Sequence, residues 1–134
     1  MAGRLFDTVV MVDWSARSSP SPARPAADAI WTGIARVADG RSAVGEAVYR
    51  RTRAGALAEL VALLAGERRA GRRVLAGFDF PFGLPAGAAE RITGRPDGLA
   101  LWDWLAARIE DRPDNANNRY ALAEEINALW PGPG

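Results

Sequence analysis

The sequence predicts an α/β fold: a mixed sheet of strand order 3-2-1-4 with one crossover helix, followed by C-terminal helices. Two apolar runs, at 8–12 and 74–78, are bounded by turn-forming residues, which is typical of buried strands. A helical apolar stripe lies between the third and fourth predicted strands. Because a strand–helix–strand crossover joins parallel strands, we expect the fourth strand to lie beside the first.

Alternation of apolar and polar residues, together with turn signals, sets the strand limits. The continuous apolar character of the first strand predicts that both of its faces are covered. Asp39-Gly40 is the dipeptide preferred in a two-residue hairpin turn, so the second and third strands should be antiparallel. Gly45, Glu46 and Arg50 place the third strand at an edge. The four predicted strands span residues 8–13, 29–37, 42–50 and 73–80.

The segment 14–28 contains three prolines and several serines, which exclude regular structure. We interpret it as a long mobile loop. One reading is a solvated linker without a role. The alternative, indicated by Arg17 and Arg24 beside Asp13, is a flap that contacts a phosphate or a substrate, with Ser15 and Arg17 as the candidate contacts.

Helices account for the remainder of the chain. Thr52 is a suitable N-cap for the crossover helix, whose predicted apolar stripe is Leu57, Leu60, Val61 and Leu64. Asp97 can cap a later helix that buries Leu101, Trp102, Leu105 and Ile109. The predicted helices span 53–69, Pro85 to Ile92, 98–111 and 119–129, so that 86–134 is largely helical.

A polar loop precedes the last helix and carries several asparagines. Asn115, Asn117, Asn118 and Arg119 form a cluster that can bind a phosphate or a base edge, with Asn118 and Arg119 as the candidate contacts. The competing interpretation is that Asn117 or Asn118 caps the helix, which asparagine commonly does. The sequence leaves both open.

Composition restricts the chemistry. The 134 residues carry a net charge of +1 and contain neither cysteine nor histidine. Thiolate and imidazole chemistry is therefore excluded, and any metal should be hard and oxygen-ligated, Mg²⁺ or Mn²⁺. No signal-peptide pattern is present and no apolar run approaches the ~18 residues of a membrane span, so we expect a cytoplasmic protein without a membrane partner.

The strongest functional signal is a pair of aspartates. Asp13 ends the first predicted strand and Asp79 follows the core of the fourth. A carboxylate at the end of a buried strand costs free energy unless it is paired, hydrogen-bonded or bound to a metal. Since neighbouring parallel strands end at the same edge of a sheet, we expect Asp13 and Asp79 to lie side by side.

Two motifs lie at these strand ends: Val12-Asp13-Trp14-Ser15, and the segment 77–85, which carries a "D-x-P-x-G-L-P" pattern from Asp79 to Pro85. They resemble the "V-D" end of the first strand and the "D-x-P-x-G-L-P" end of the fourth strand in an uncharacterised family of predicted ribonuclease H-like nucleases. The resemblance covers roughly 8–85. It implies a ribonuclease H-like fold in which Asp13 and Asp79 hold Mg²⁺ or Mn²⁺ and hydrolyse phosphodiester bonds of nucleic acid. It also suggests Glu59, on the crossover helix, as a further catalytic acid.

The chain departs from that fold because no fifth strand or closing helix is evident. We therefore expect a single domain over 1–134 whose C-terminal part is truncated or replaced, and whether it is an enzyme stays open. Three alternatives remain. They are a relative of the actin-like and sugar-kinase phosphotransferases, a catalytically inactive binding or scaffold domain, and an association with cofactor biosynthesis, since similar bacterial sequences carry such names.

Overall fold

A computed structural model describes residues 5–38, 41–43 and 45–130. These residues fall into two compact units. The first runs to Phe80 and includes Pro113–Asn115; the second comprises Pro81–Arg112 and the described residues from Ala116 onwards. The elements in chain order are β1 (Thr8–Asp13), β2 (Ile30–Ala38), β3 (Arg41–Ala43), β4 (Ala47–Arg50), α1 (Arg53–Arg69), β5 (Val74–Phe78), α2 (Ala88–Thr93), α3 (Gly98–Ala106) and α4 (Arg119–Asn127).

The sheet of the first unit confirms the predicted α/β class and strand order. β2 lies antiparallel to β1, and β5 lies parallel to β1 on its other side. The predicted third strand is in fact two short strands, β3 and β4, which both pair with β2. The predicted turn at Asp39-Gly40 lies outside the described residues.

Helix α1 covers one face of this sheet. Thr8, Val10 and Val12 are buried beneath it, and the core also contains Ile30 and Leu60. The prediction that both faces of the first strand are covered is wrong, because Met11 is 56% exposed and Leu75 on β5 is 43% exposed. Side chains alternate between the faces of a strand, so a continuous apolar run does not reveal that only one face has a partner.

Helix α1 has the predicted bounds but a different buried face. Thr52 caps it as expected, its hydroxyl accepting a hydrogen bond from the Gly55 N–H at 3.2 Å. The predicted stripe is partly wrong: Leu60 is buried, whereas Leu57 and Val61 are exposed. The helix is rotated so that its buried face includes two charged residues, Arg53 and Glu67, which hydrogen bonds satisfy.

The helices of the second unit are shorter than predicted. Asp97 caps α3 by accepting a hydrogen bond from the Leu99 N–H at 2.9 Å. Helix α3 then ends at Ala106, so Ile109 lies beyond it and is exposed, as is Trp102. The side chain of Asn118 binds the Arg108 carbonyl and the Glu110 N–H, groups that a continuing helix would have used itself.

Two smaller differences occur at other helix ends. α2 begins at Ala88, three residues after the predicted start, and α4 ends at Asn127.

The helices were also compared with the length and hydrophobicity that a membrane span requires. None of the helices in the described part of the chain is long and apolar enough to cross a lipid bilayer.

Candidate carboxylate site at the sheet edge

The sheet brings Asp13 and Asp79 to the same edge. Asp13 is the last residue of β1, and Asp79 directly follows β5. The parallel register pairs Val12 with Phe78, so the two aspartates occupy equivalent positions one residue further on. The Asp79 N–H donates to the Val12 carbonyl at 3.2 Å, which extends the pairing beyond the strand end.

The backbone after Asp13 holds the Asp79 side chain. The Trp14 N–H donates a hydrogen bond to Asp79 Oδ1 at 2.7 Å. Both aspartates are exposed to solvent. This edge of the sheet thus presents two neighbouring carboxyl groups, one of them fixed by a backbone donor.

The electrostatics of the pair favour protonation of one member. Partial burial raises the pKa of Asp13 above its ordinary value, and a side-chain hydrogen bond to Asp79 raises it further. The negative charges of Asp79 and Asp28 add to the effect. Two carboxylates in contact repel each other, so either a shared proton or a bound cation relieves the pair.

The predicted third acid, Glu59, has a different partner. It forms an ion pair with Arg50 of β4, and its side chain is about half exposed. Among the described residues, no group of three or more acidic side chains is placed to hold a metal ion. Asp28, at the end of the loop after β1, is the further acid whose charge reaches Asp13, and the sequence pattern gave no reason to select it.

The two predicted substrate contacts in the loop are engaged within the first unit. Ser15 is buried, and its hydroxyl accepts a hydrogen bond from the Arg17 N–H at 3.4 Å. The Arg17 guanidinium forms an ion pair with Asp28 at 3.2 Å. Arg17 is therefore paired with the acid whose negative charge helps to raise the pKa of Asp13.

The other two predicted contacts, Asn118 and Arg119, lie in the second unit. Asn118 uses its amide to hold the loop that follows α3. Arg119 stacks on the ring of Tyr120 at 4.6 Å and donates to its hydroxyl at 3.0 Å. Asn118 occupies the N-cap position of α4, but its side chain makes no capping hydrogen bond; Asn117, one residue earlier, accepts a bond from the Arg119 N–H at 3.3 Å.

The loop 14–28 is irregular, as predicted, yet it is anchored at several points. Ser21 is buried and exchanges two hydrogen bonds with Arg51, at 2.9 and 2.7 Å. Tyr49 donates to the Pro22 carbonyl and Trp31 to the Ala26 carbonyl. The expectation of a mobile loop missed these contacts, because each joins residues that are distant or unremarkable in the sequence.

A buried arginine, Arg53, lies at the start of α1 and was not predicted from the sequence. The Arg53 guanidinium donates to the carbonyls of Ser15 at 3.0 Å, Arg17 at 2.7 Å and Asn115 at 2.7 Å. Its backbone N–H donates to Asn115 Oδ1 at 2.8 Å. An arginine in the first turn of a helix carries no pattern that predicts burial, and Asn115 lies 62 residues away.

Comparisons with known proteins identify no relative of this chain from which a function could be inferred. No protein-family model matches the chain, and no curated protein or solved structure shows significant similarity to it. Function is therefore inferred from the carboxylate pair and from what surrounds it.

Proposed function

We propose that this chain is a divalent-cation-dependent, nuclease-like protein of ribonuclease H-like fold that hydrolyses phosphodiester bonds of nucleic acid. The observation that carries the proposal is the contact between Asp13 and Asp79 at the carboxyl ends of two parallel neighbouring strands. The strand order β3-β2-β1-β5, with β4 also paired to β2, and the crossover helix α1 are consistent with such a fold.

The carboxylate pair suits a hard divalent cation. Mg²⁺ commonly binds through one or two carboxylates, with water and substrate phosphates completing its shell. Two exposed aspartates in contact offer that number of protein ligands. The pKa of Asp13 is raised by burial and by its contact with Asp79, and a bound cation would offset the repulsion between the two carboxylates. Asp13 and Asp79 would hold Mg²⁺ or Mn²⁺, and the bound ion would supply charge stabilisation at the phosphate.

The hydrogen bonds of Asp13, Asp79 and Arg17 suggest a different role for each. Asp79 keeps one oxygen on the Trp14 N–H, which fixes the direction of its carboxylate. Asp13 faces solvent without such a backbone anchor among the hydrogen bonds of the described residues, and its raised pKa lets it hold a proton more readily. Arg17, which is paired with Asp28 in the loop after β1, is the candidate for contacting a phosphate.

A phosphotransferase is less well supported. Such an enzyme needs backbone N–H groups turned towards a phosphate after the first strand. In this chain the Trp14 N–H binds Asp79 and the Arg17 N–H binds Ser15. A catalytically inactive binding domain is the second candidate, because no group of three acidic side chains in the described residues is placed to hold a metal ion.

Cleavage assays test the proposal. Labelled single-stranded DNA, single-stranded RNA, duplexes and RNA–DNA hybrids would be incubated with the purified chain in Mg²⁺ or Mn²⁺. We expect cleavage of at least one substrate, and a loss of about 100-fold or more in Asp13→Asn and in Asp79→Asn. Glu124→Gln is the matched control, since it removes one negative charge from the exposed surface of α4.

The outcomes separate the two candidates. Cleavage that persists in both aspartate variants would come from a contaminant or another site and would contradict the proposal. A folded wild-type chain that binds the cation but cleaves none of the substrates would favour the inactive binding domain.

A further inference from the structure

We infer that Arg53 and Asn115 are positioning residues for the carboxylate site, because together they hold the loop that presents the Trp14 N–H to Asp79. Their hydrogen bonds go to the carbonyls of Ser15, Arg17, Ser19 and Arg51 and to each other. Their effect passes through the backbone of residues 14–17. The functional consequence rests on the proposed function, whereas the positioning itself can be measured without it.

Arg53 contacts the loop that follows β1 directly. Its guanidinium binds the carbonyl of Ser15 at 3.0 Å and that of Arg17 at 2.7 Å. Ser15 directly follows the residue whose N–H holds Asp79. Two carbonyls fixed within three residues of Trp14 leave its peptide little freedom to turn away from Asp79.

Asn115 holds Arg53 in place through two hydrogen bonds. The Asn115 side-chain oxygen accepts the Arg53 N–H at 2.8 Å, and the Asn115 carbonyl accepts the guanidinium at 2.7 Å. Asn115 also donates through Nδ2 to the Ser19 and Arg51 carbonyls, both at 3.2 Å. It thereby ties α1 to a later part of the same loop.

Burial makes these bonds effective. Arg53 is 8% exposed and Asn115 is 1% exposed, so water does not compete for their donors. Asn115 has a φ of 70°, a left-handed conformation that asparagine tolerates better than most residues. The guanidinium presents donors in a planar fork, so lysine, with one ammonium, cannot reproduce its three carbonyl contacts.

The direct test is the solvent-exchange rate of the Trp14 amide, measured by NMR in wild type and in Arg53→Lys. We expect exchange to accelerate by about tenfold or more in the variant, because the hydrogen bond to Asp79 opens more often. Arg36→Lys is the matched control: Arg36 binds buried Glu67 and its partner residue on β1 lies at the opposite strand end, Thr8. Its Trp14 exchange should match wild type.

Asn115→Gly provides a second variant if Arg53→Lys does not fold. Glycine accepts the left-handed backbone but removes the side-chain bonds, so it should also accelerate Trp14 exchange. An unchanged Trp14 rate in a folded Arg53→Lys or Asn115→Gly protein would overturn the inference. Equal acceleration in Arg36→Lys would overturn it as well, since the effect would then be general destabilisation.

Cation affinity supplies the functional readout. With Mg²⁺ titrated into the same proteins, Arg53→Lys should bind more weakly than wild type and Arg36→Lys should not. If wild type itself binds no Mg²⁺, the proposed function fails, and the Trp14 exchange rate alone decides the role of Arg53. The two failures are therefore distinguishable.

Discussion

The Trp14 N–H donates a hydrogen bond to Asp79 Oδ1 at 2.7 Å, joining residues that lie 65 positions apart in the chain. The residue that follows one aspartate thereby holds the other. Parallel pairing of β1 with β5 brings the two together, and the Asp79 N–H bond to Val12 continues that pairing. The position of Asp79 therefore depends on two backbone groups of the neighbouring segment, the Val12 carbonyl and the Trp14 N–H.

Removing the charge of Asp79 should lower the pKa of Asp13. The variant Asp79→Asn keeps an oxygen for the Trp14 N–H but removes the negative charge that raises the pKa of Asp13. Carboxyl ¹³C NMR titration would show the Asp13 pKa moving towards its ordinary value. An Asp13 titration curve identical to that of wild type would mean that the two groups do not interact as described.

The same pair should reduce stability at neutral pH. A carboxyl whose pKa is raised on folding opposes folding once it ionises, so this cost is present above the folded pKa and disappears at lower pH. We expect Asp13→Asn to increase the free energy of unfolding at pH 7 by up to about 1 kcal/mol, because solvent exposure screens the repulsion. Urea denaturation at pH 7 measures it, with Glu124→Gln as control; a marked decrease in the aspartate variant alone would contradict the repulsion.

Glu67 should stabilise the fold at neutral pH, whereas Asp13 should destabilise it there. It is buried and accepts hydrogen bonds from Arg72, Thr8 and Arg36, and the bond from Arg72 is the main cause that lowers its pKa from 4.5 to about 2. A lowered carboxyl pKa adds stability above the ordinary value, and this stability is lost as the pH falls towards 2.

We therefore expect Glu67→Gln to reduce the free energy of unfolding at pH 7 by about 3 kcal/mol. The difference from wild type should shrink between pH 4.5 and about 2, where wild-type Glu67 becomes protonated. Denaturation series at several pH values would test this. A pH-independent difference would show that packing, rather than charge, sets the contribution of Glu67.

Two leucines on α1 provide a matched test of the helix rotation. Leu60 is 7% exposed and packs in the core, whereas Leu57 is 53% exposed. Leu60→Ala should cost about 2–4 kcal/mol of unfolding free energy, because it leaves a cavity. Leu57→Ala should change it by about 0.5 kcal/mol or less. Equal losses in chemical denaturation would mean that the buried stripe predicted from the sequence was the correct one.

The sequence predicted elements whose signals are local. The bounds of α1 followed from Thr52 and the C-terminal arginines, and the position of β1 followed from its apolar run ending in Asp13. Crossover topology then placed Asp79 beside Asp13, since few connections between parallel strands are possible. This much of the candidate site needed no long-range contact to be known.

What the sequence did not predict depends on tertiary partners. Arg53 is satisfied by distant carbonyls, and Glu67 by the distant Thr8 and Arg36 as well as by the nearby Arg72. The local sequence does not signal the distant partners. Helix α3 ends at Ala106, and beyond it Asn118 binds the Arg108 carbonyl and the Glu110 N–H, which a longer helix would have used. The suggested role of Glu59 came from a resemblance, and its ion pair with Arg50 could not be foreseen from spacing.

Cation binding by the aspartate pair is the central claim, and isothermal titration of Mg²⁺ and Mn²⁺ into the purified chain measures it most directly. Wild type should show saturable binding, which Asp13→Asn and Asp79→Asn should each weaken by about tenfold or more while Glu124→Gln leaves it unchanged. Binding that survives in both aspartate variants, or a folded wild-type chain that binds neither ion, would contradict the assignment of a shared carboxylate site.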